Sequence, residues 1–322
     1  SMATKIEFDG QRAVGVAYRQ GGSLLRATVA REVIVCAGAV QSPLLLQASG
    51  VGPAALLQSL GLPVLHHSPA VGRHMQDHLC IDHLFRARVP TLNEQLRPWW
   101  GRLRVGARYL VTRRGPLALS VNQAGGFVRS RPELPRPDLQ LYFSPLSYTR
   151  AMPGKRGLMS PDPFPGFLLS AQPCQPSSRG HVQLRSPDAL DAPLIVPNSL
   201  GSADDLQALV DASMWLRKLA AAPSLAAIID AELQPGPDVR TQEQFFDDIR
   251  QRASSVFHPV GTCRMGPDAE QAVVDARLRV HGLAGLRVID ASVFPSITSG
   301  NTNAPTIMVA EKGADMVLAD QR

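Results

Sequence analysis

The chain switches repeatedly between a hydrophobic period of two, which suits strands, and one near 3.6, which suits helices. Residues 4–20 alternate apolar and polar positions on either side of Asp9-Gly10, a pair that favours a tight turn, and predict a hairpin. Residues 32–36 (EVIVC) form a short β-branched run, as expected of a buried parallel strand. Ala37-Gly38-Ala39 ends that run. Ser42-Pro43 then predicts a helix over 42–48, with Ser42 as N-cap and Pro43 in the first position. A second helix is expected from Pro53 to Gly61, where glycine closes it.

Residues 80–175 are rich in Pro and Arg and weakly periodic, which suggests an inserted domain with an antiparallel sheet and long loops. Strands are expected within 109–119 (YLVTRRGPLAL) and 138–146 (DLQLYFSPL), and 181–186 (HVQLRS) alternates cleanly and is expected to join the same sheet. Residues 202–221 and 242–252 read as helices; Ser202 followed by Asp204 and Asp205 is a capped, acidic first turn. Residues 272–295 read as strand–turn–strand, and a last helix runs from about Pro305 to Ala319. The fold class expected is therefore mixed α/β (α+β), with no internal repeat.

Composition narrows the function. With 322 residues and 44% hydrophobic content the chain can bury a substantial core. The net charge of +6 is mild, and aromatics are only 5%. The one basic cluster, Arg97 to Arg114, reads as a solvated Arg-rich loop rather than a nucleic-acid surface. The four cysteines show no CxxC spacing, so reduced thiols and a cytoplasmic setting fit best. No apolar run approaches the ~18 residues of a membrane span and no signal peptide stands at the start, so the expected location is cytoplasmic, at most peripheral to the inner membrane. Ser1-Met2 reads as the scar of a cleaved tag, and the hairpin that follows at once suggests a start inside a domain. Edges left open there are expected to favour self-association or a partner chain.

Several motifs carry candidate chemistry. Residues 38–52 (GAVQSPLLLQASGVG) put small residues at a strand–helix turn, where a backbone can approach a ligand closely. Inside it, Gly50-Val51-Gly52-Pro53 mimics a dinucleotide loop, but a helix precedes it and a proline interrupts it. In residues 71–79 (VGRHMQDHL), His74, Asp77 and His78 stand at i, i+3, i+4; they are read as a polar turn bridging two domains, the other reading being a metal site on a helix. His258 precedes Pro259, which restricts it to extended backbone, within 254–266 (SSVFHPVGTCRMG). Residues 288–317 end a strand at Asp290-Ala291 and enter the last helix through Gly300-Asn301-Thr302-Asn303-Ala304-Pro305, with proline read as the first helical residue. The backbone N–H groups of such a helix start suit an anion.

Taken together and in this order, these motifs resemble the glucose–methanol–choline (GMC) oxidoreductases, and most closely their choline and alcohol dehydrogenases. Gly38, Ala39, Ser42, Pro43, Ser49, Gly50 and Gly52 match the second signature of the family, and residues 176–200 match its Ser-Arg-Gly turn and strand at Ser178, Arg179, Gly180, Asp188, Pro193 and Asn198. Asp77 and His78 match the family pattern; His74 departs from the usual Asn. The resemblance implies a partial FAD-binding, Rossmann-like domain over 1–79, a substrate-binding domain with an antiparallel sheet over 80–250, and an active-site segment with the end of the FAD domain over 251–322. It implies catalytic roles for His258 and Asn301, and cofactor contacts at Ala37, Gly38, Asp290, Ala291, Asn303, Pro305 and Thr306. No metal is required.

The family reaction takes CH–OH to C=O with hydride passing to flavin. His258 is then the base that relieves the alcohol of its proton, and Asn301 the amide that orients the oxygen. The family's first βαβ unit, which carries the Gly-rich loop for the diphosphate, finds no match in this sequence. The chain is therefore expected to bind FAD weakly or not at all and to be inactive alone. Two other readings stand beside this one: a folded, non-catalytic binding remnant, and a nicotinamide-dependent dehydrogenase using the Gly50 loop. The substrate is expected to be a small alcohol. Trp99, Trp100, Tyr142 and Phe143 offer aromatic surface for a quaternary ammonium such as choline, without a pattern that groups them.

Overall fold

The computed structural model describes residues 1–149 and 160–320. Residues 150–159, within the expected inserted domain, lie outside them. Contacts divide the chain into two compact units: Ser1–His78 with Gln175–Gly201 and Phe257–Arg322, and Leu79–Cys174 with Ser202–Val256.

The first unit opens with the expected hairpin, Met2–Asp9 against Arg12–Gln20, turning at Gly10 with φ of 56°. A third strand, Ser23–Thr28, extends it. All six of its residues are exposed, so the sequence shows no buried face to announce it. Val33–Val35 pairs in parallel with Leu286–Val288. Val33 and Val35 are buried, whereas Ile34 is 41% exposed, which corrects the expectation of burial along the whole run. Side chains alternate between the two faces of a strand, so Ile34 points away from the core side that takes Val33 and Val35. The core beneath gathers Ile6, Leu46, Val51, Val260, Val273, Val288 and Val293.

Three local expectations change in this unit. The helix runs Gly38–Ala48, starting four residues before Ser42. Ser42 is consequently inside it, and its hydroxyl donates to Asp290 instead of capping the helix. Pro43 removes the N–H that Ala39 O would have accepted; the Thr262 hydroxyl donates to that carbonyl instead, at 2.6 Å. The final helix runs Asn303–Ala319, so Pro305 is its third residue rather than its first. First-turn N–H groups lack intrahelical partners anyway, so proline is tolerated there. Among the described residues, the strand at His181–Gln183 pairs with Leu194–Val196, inside this unit, and does not join the large antiparallel sheet. It stops because Leu184 N turns away to donate to Gln47 Oε1.

The second unit is built on a six-stranded antiparallel sheet in the order Ile229–Gln234, Leu79–Ala87, Gly166–Pro173, Leu139–Ser144, Ala124–Val128, with Ser254–Ser255 paired to the start of Leu79–Ala87. Gly166–Pro173 is its central strand and is buried along almost its whole length, with Phe167 stacked on Phe85 at 5.4 Å. The helix Ala203–Ala220 covers this sheet, burying Leu206, Leu209, Val210 and Leu216. Its cap is the expected one, Ser202 Oγ accepting from Asp205 N. The helix at Gln242–Arg252 is also where its pattern put it.

The strand expected within 109–119 is absent. Trp99–Thr112 is a helix, followed by a short 3-10 turn at Pro116–Ala118, so Arg102, Arg104 and Arg108 of the basic cluster are helical rather than in a loop. Tyr109-Leu110-Val111 reads as β-forming in isolation, but the helix begun after Pro98 simply propagates through it. Of residues 272–295, only Leu286–Val288 is a regular strand; Val274 and Val280 meet in an isolated bridge.

His83, on the Leu79–Ala87 strand, is fully buried. Burial, reinforced by Arg252 and Arg217, depresses its pKa to about 3. An unfolded histidine titrates near 6.5, so between those values the unfolded chain binds a proton that the folded one does not. Stability of the second unit should therefore fall as pH drops below about 6.5, by about 2 kcal/mol between pH 7 and pH 5. The tryptophans, Trp99, Trp100 and Trp215, all lie in this unit, so their fluorescence reports its urea midpoint. His83→Leu should remove most of the pH dependence; an unchanged slope would show that other groups cause it.

Candidate active site

His258 is placed by its immediate neighbours. Pro259 keeps it extended, and Phe257 before it sits at φ of 62°, a left-handed conformation costly for a side chain of that size. Gly261 follows at φ of 84°; a Cβ there would stand 2.8 Å from the carbonyl of His74, so only glycine lets the two segments approach. Residues 75–78 run against 258–260. Gln76 N donates to Val260 O at 3.1 Å, and Val260 N returns a bond to Gln76 O at 2.9 Å. One residue on, Asp77 Oδ1 accepts from His258 N at 2.8 Å.

Two side chains converge on the imidazole. Asn301 Nδ2 lies 3.1 Å from His258 Nε2, and His78 Nδ1 lies 3.0 Å from His258 Nδ1. The two rings meet edge to face at 84°. Since the Asn301 amide nitrogen is a donor, Nε2 is the acceptor. Neutral His258 then carries its proton on Nδ1 and gives it to Nδ1 of His78. His78 is fully buried, His258 half-buried and Asn301 exposed, so the arrangement presents Nε2 and the amide at an accessible edge. Burial lowers the His258 pKa and the Asp77 carboxylate pushes it back up. His258 is neutral over most of the physiological range, the state a base requires.

Gln76 is the residue that the sequence reading passed over. It is buried; its Nε2 donates to Pro176 O, and its Oε1 accepts from Ile297 N at 3.0 Å, in the loop that leads to Asn301. One side chain thus ties the loop bearing Asn301 to the backbone beside His258. Asp77 and His78, read as part of a polar turn between two domains, stand where the first unit's opening segment ends, and they are also partners of His258. His74 sits at φ of 61° and is not helical, so the i, i+3, i+4 metal geometry is not formed. The signal available in the sequence was three successive polar residues, Gln76-Asp77-His78, directly before the apolar run Leu79-Cys80-Ile81.

The expected cofactor residues fall in two groups. Ala37, Gly38, Asp290 and Ala291 stand where the parallel strands end. Asp290 Oδ2 accepts from Gly38 N at 2.8 Å and from Ser42 Oγ at 2.5 Å, while Oδ1 accepts from Ser292 N. The carboxylate is therefore engaged in bracing the turn. Asn303, Pro305 and Thr306 form the first turn of the last helix, and the Thr306 hydroxyl donates to Thr302 O. His258's own segment is tied to the first group: Gly261 N reaches Ala291 O, and Cys263 N reaches Ser292 O. The corner fits a flavin. Gly38 has φ of 80° with open space where a Cβ would project. The 17-residue helix beginning at Asn303 has no side-chain cap, which leaves donors for an anionic group. The Gly50 loop fits a dinucleotide poorly: Val51–Gly52 is buried and paired with His66–His67, and a Cβ on Gly50 would meet Pro63 O at 2.7 Å. Among the described residues, no group of three or more His, Cys, Asp or Glu could hold a metal.

Two outcomes are expected from nitrogen NMR of the histidine-labelled chain. Asp77→Asn should lower the His258 pKa further, because it removes the charge that raises it; an unchanged titration would deny Asp77 that role. His78→Phe should shift the His258 proton from Nδ1 toward Nε2, since the acceptor that holds it is lost; retention of the Nδ1–H form would show that His78 does not set the tautomer.

Comparison with known proteins identifies the family. GMC oxidoreductase family models match residues 1–80 and 176–310, together well over half of the chain. Oxygen-dependent choline dehydrogenase of Pseudomonas fluorescens (strain SBW25) is 42% identical over 323 residues, covering 100% of this chain and 56% of the relative. The enzyme of the same description from Escherichia coli O17:K52:H18 is 40% identical, covering 98% and 56%. The chain thus spans little more than half the length of these relatives. Pyridoxine 4-oxidase from Mesorbium loti superposes with a TM-score of 0.81 at 26% identity, over 97% of this chain and 56% of that one. Formate oxidase from Aspergillus oryzae does so at 0.90 and 24% identity, over 99% and 60%, which speaks to the fold alone. This chain belongs to the GMC oxidoreductase family.

Proposed function

We propose that this chain carries the proton-transfer half of an FAD-dependent oxidation of an alcohol CH–OH group to the carbonyl. The observation behind this is the pairing of His258 Nε2 with Asn301 Nδ2 at 3.1 Å, at an exposed edge. A substrate hydroxyl entering between them takes over the amide hydrogen bond and offers its own proton to Nε2. Hydride leaves a carbon readily only when the attached oxygen is losing its proton, so base and amide must act on one oxygen. His258 accepts the proton at Nε2. The charge it gains is favoured by the Asp77 carboxylate at its backbone and by Nδ1–H donation to His78. Asn301 cannot titrate, so the proton rests on His258. FAD, when bound, supplies the hydride acceptor. Ala37, Gly38 and Ala291 at the strand ends, with Asn303, Pro305 and Thr306 at the helix start, are the residues proposed to hold it, with Asp290 bracing them.

Turnover is proposed to need the diphosphate-binding unit that this sequence lacks, so the chain alone is taken to be inactive and at best a weak FAD binder. Choline is the first alcohol to test, because relatives around 40% identical are choline dehydrogenases by name. Trp99 and Trp100 lie on an exposed helix, while Phe143 packs against Phe167, so these aromatics form no cage. No helix among the described residues is long and apolar enough to cross a membrane. We place the protein in the cytoplasm, free or at the membrane surface, in keeping with its free thiols.

The decisive experiment joins the chain to an upstream FAD-binding segment of a relative, loads FAD and follows flavin reduction by alcohols with an artificial acceptor. His258→Ala should slow reduction by roughly 10²-fold or more; an unaltered rate removes His258 from the role. A yellow, stoichiometric flavin on the unextended chain would overturn the expectation of weak binding.

A further inference from the structure

The helix Trp99–Thr112 exposes the wrong face for a soluble protein. Placed at 100° per residue, Trp99, Trp100, Leu103, Ala107, Leu110 and Val111 fall within one arc of about 120°. The large members of that arc are 57–85% exposed. The helix meets its own unit on the opposite side, through Gly101, Val105 and the half-buried Tyr109. Arginines border the apolar arc on both flanks, Arg104 and Arg108 on one and Arg102 on the other. Between residues 97 and 114 there are six arginines and no acidic residue or lysine. The apolar surface continues past the helix into Leu117 and Leu119, which are also exposed, on the short turn packed against it.

We propose that this helix is a membrane-docking element that lies in the plane of a bilayer surface bearing anionic phospholipids. The apolar arc would enter the boundary between headgroups and acyl chains, with tryptophans at the level where an amphipathic ring is most stable. The flanking arginines extend their apolar stems along that arc and bring their guanidinium groups to lipid phosphates. Two copies of the chain would not satisfy the surface, because face-to-face pairing would bring the arginine borders against each other. A nucleic acid would satisfy the arginines but leave the aliphatic arc in water. The inference makes specific the membrane-surface placement proposed above. It is independent of the redox reading, because it is tested without flavin or substrate.

Trp215→Phe leaves Trp99 and Trp100 as the remaining tryptophans. Mixed with vesicles of phosphatidylcholine containing phosphatidylglycerol, this variant and the unaltered chain should sediment with the lipid. Emission should shift to the blue and be quenched by brominated acyl chains, and binding should weaken as salt rises. Vesicles of phosphatidylcholine alone should bind far less. Replacing Arg104 and Arg108 together by Gln should lower the partition coefficient roughly thirtyfold, with the circular dichroism of the chain unchanged. Leu103→Ser with Leu110→Ser should abolish the bromolipid quenching. Absence of sedimentation with anionic vesicles at low salt overturns the proposal, as does binding that survives both sets of substitutions. A dimer dispersed by these same substitutions would assign the face to a second copy and overturn it equally.

Discussion

The candidate site depends first on the carboxylate of Asp290. Its two oxygens accept from Gly38 N, Ser42 Oγ and Ser292 N, and so join the turns after two parallel strands whose paired positions, Val33 with Leu286 and Val35 with Val288, lie 253 residues apart in sequence. An ionised carboxylate with three donors is a strong brace, because each bond is charge-assisted and each would be costly to leave unmade in a buried position. The segment 261–265 is laid along the same turn by Gly261 N, Cys263 N and Met265 N, which donate to Ala291, Ser292 and Val293. His258 is three residues before this anchored stretch. Its position is thus inherited from the strand ends.

A second constraint fixes the imidazole itself. Gln76 and Val260 exchange backbone bonds, Asp77 holds His258 N, and His78 meets His258 Nδ1. Consecutive residues of an extended segment thus do three different jobs, on backbone, carboxylate and ring. Gln76 also reaches Ile297 in the loop that carries Asn301, so amide and imidazole share one support. Burial alone would push His258 toward neutrality, and Asp77 offsets part of that. The result is an imidazole that is neutral at rest and tolerably charged once it gains a proton.

Local signals failed where a short window held two readings. Tyr109-Leu110-Val111 looks like a strand until the helix that starts after Pro98 is seen to run through it. Ser42-Pro43 looks like a helix start, yet the helix begins at Gly38 because Asp290 fixes that turn and Thr262 supplies the donor that Pro43 cannot. Ser23–Thr28 was invisible because no face of it is buried. Elements with an unambiguous cap and long period, such as Ala203–Ala220 behind Ser202, were readable in full.

The sequence by itself determined the family, since the order of GAVQSPLLLQASGVG, HPVGTCRMG and the Gly300–Pro305 loop is specific, and it determined that His258 and Asn301 were the residues to watch. It also determined the mixed fold class, because period, caps and turns are local properties. Only the tertiary structure decided what surrounds His258. Its partners come from residues 76–78, about 180 positions away, and no spacing rule spans that distance. Only the tertiary structure, too, turned an arginine-rich stretch from a loop into a helix with an uncovered apolar face, because which side of a helix is buried is settled by what packs against it.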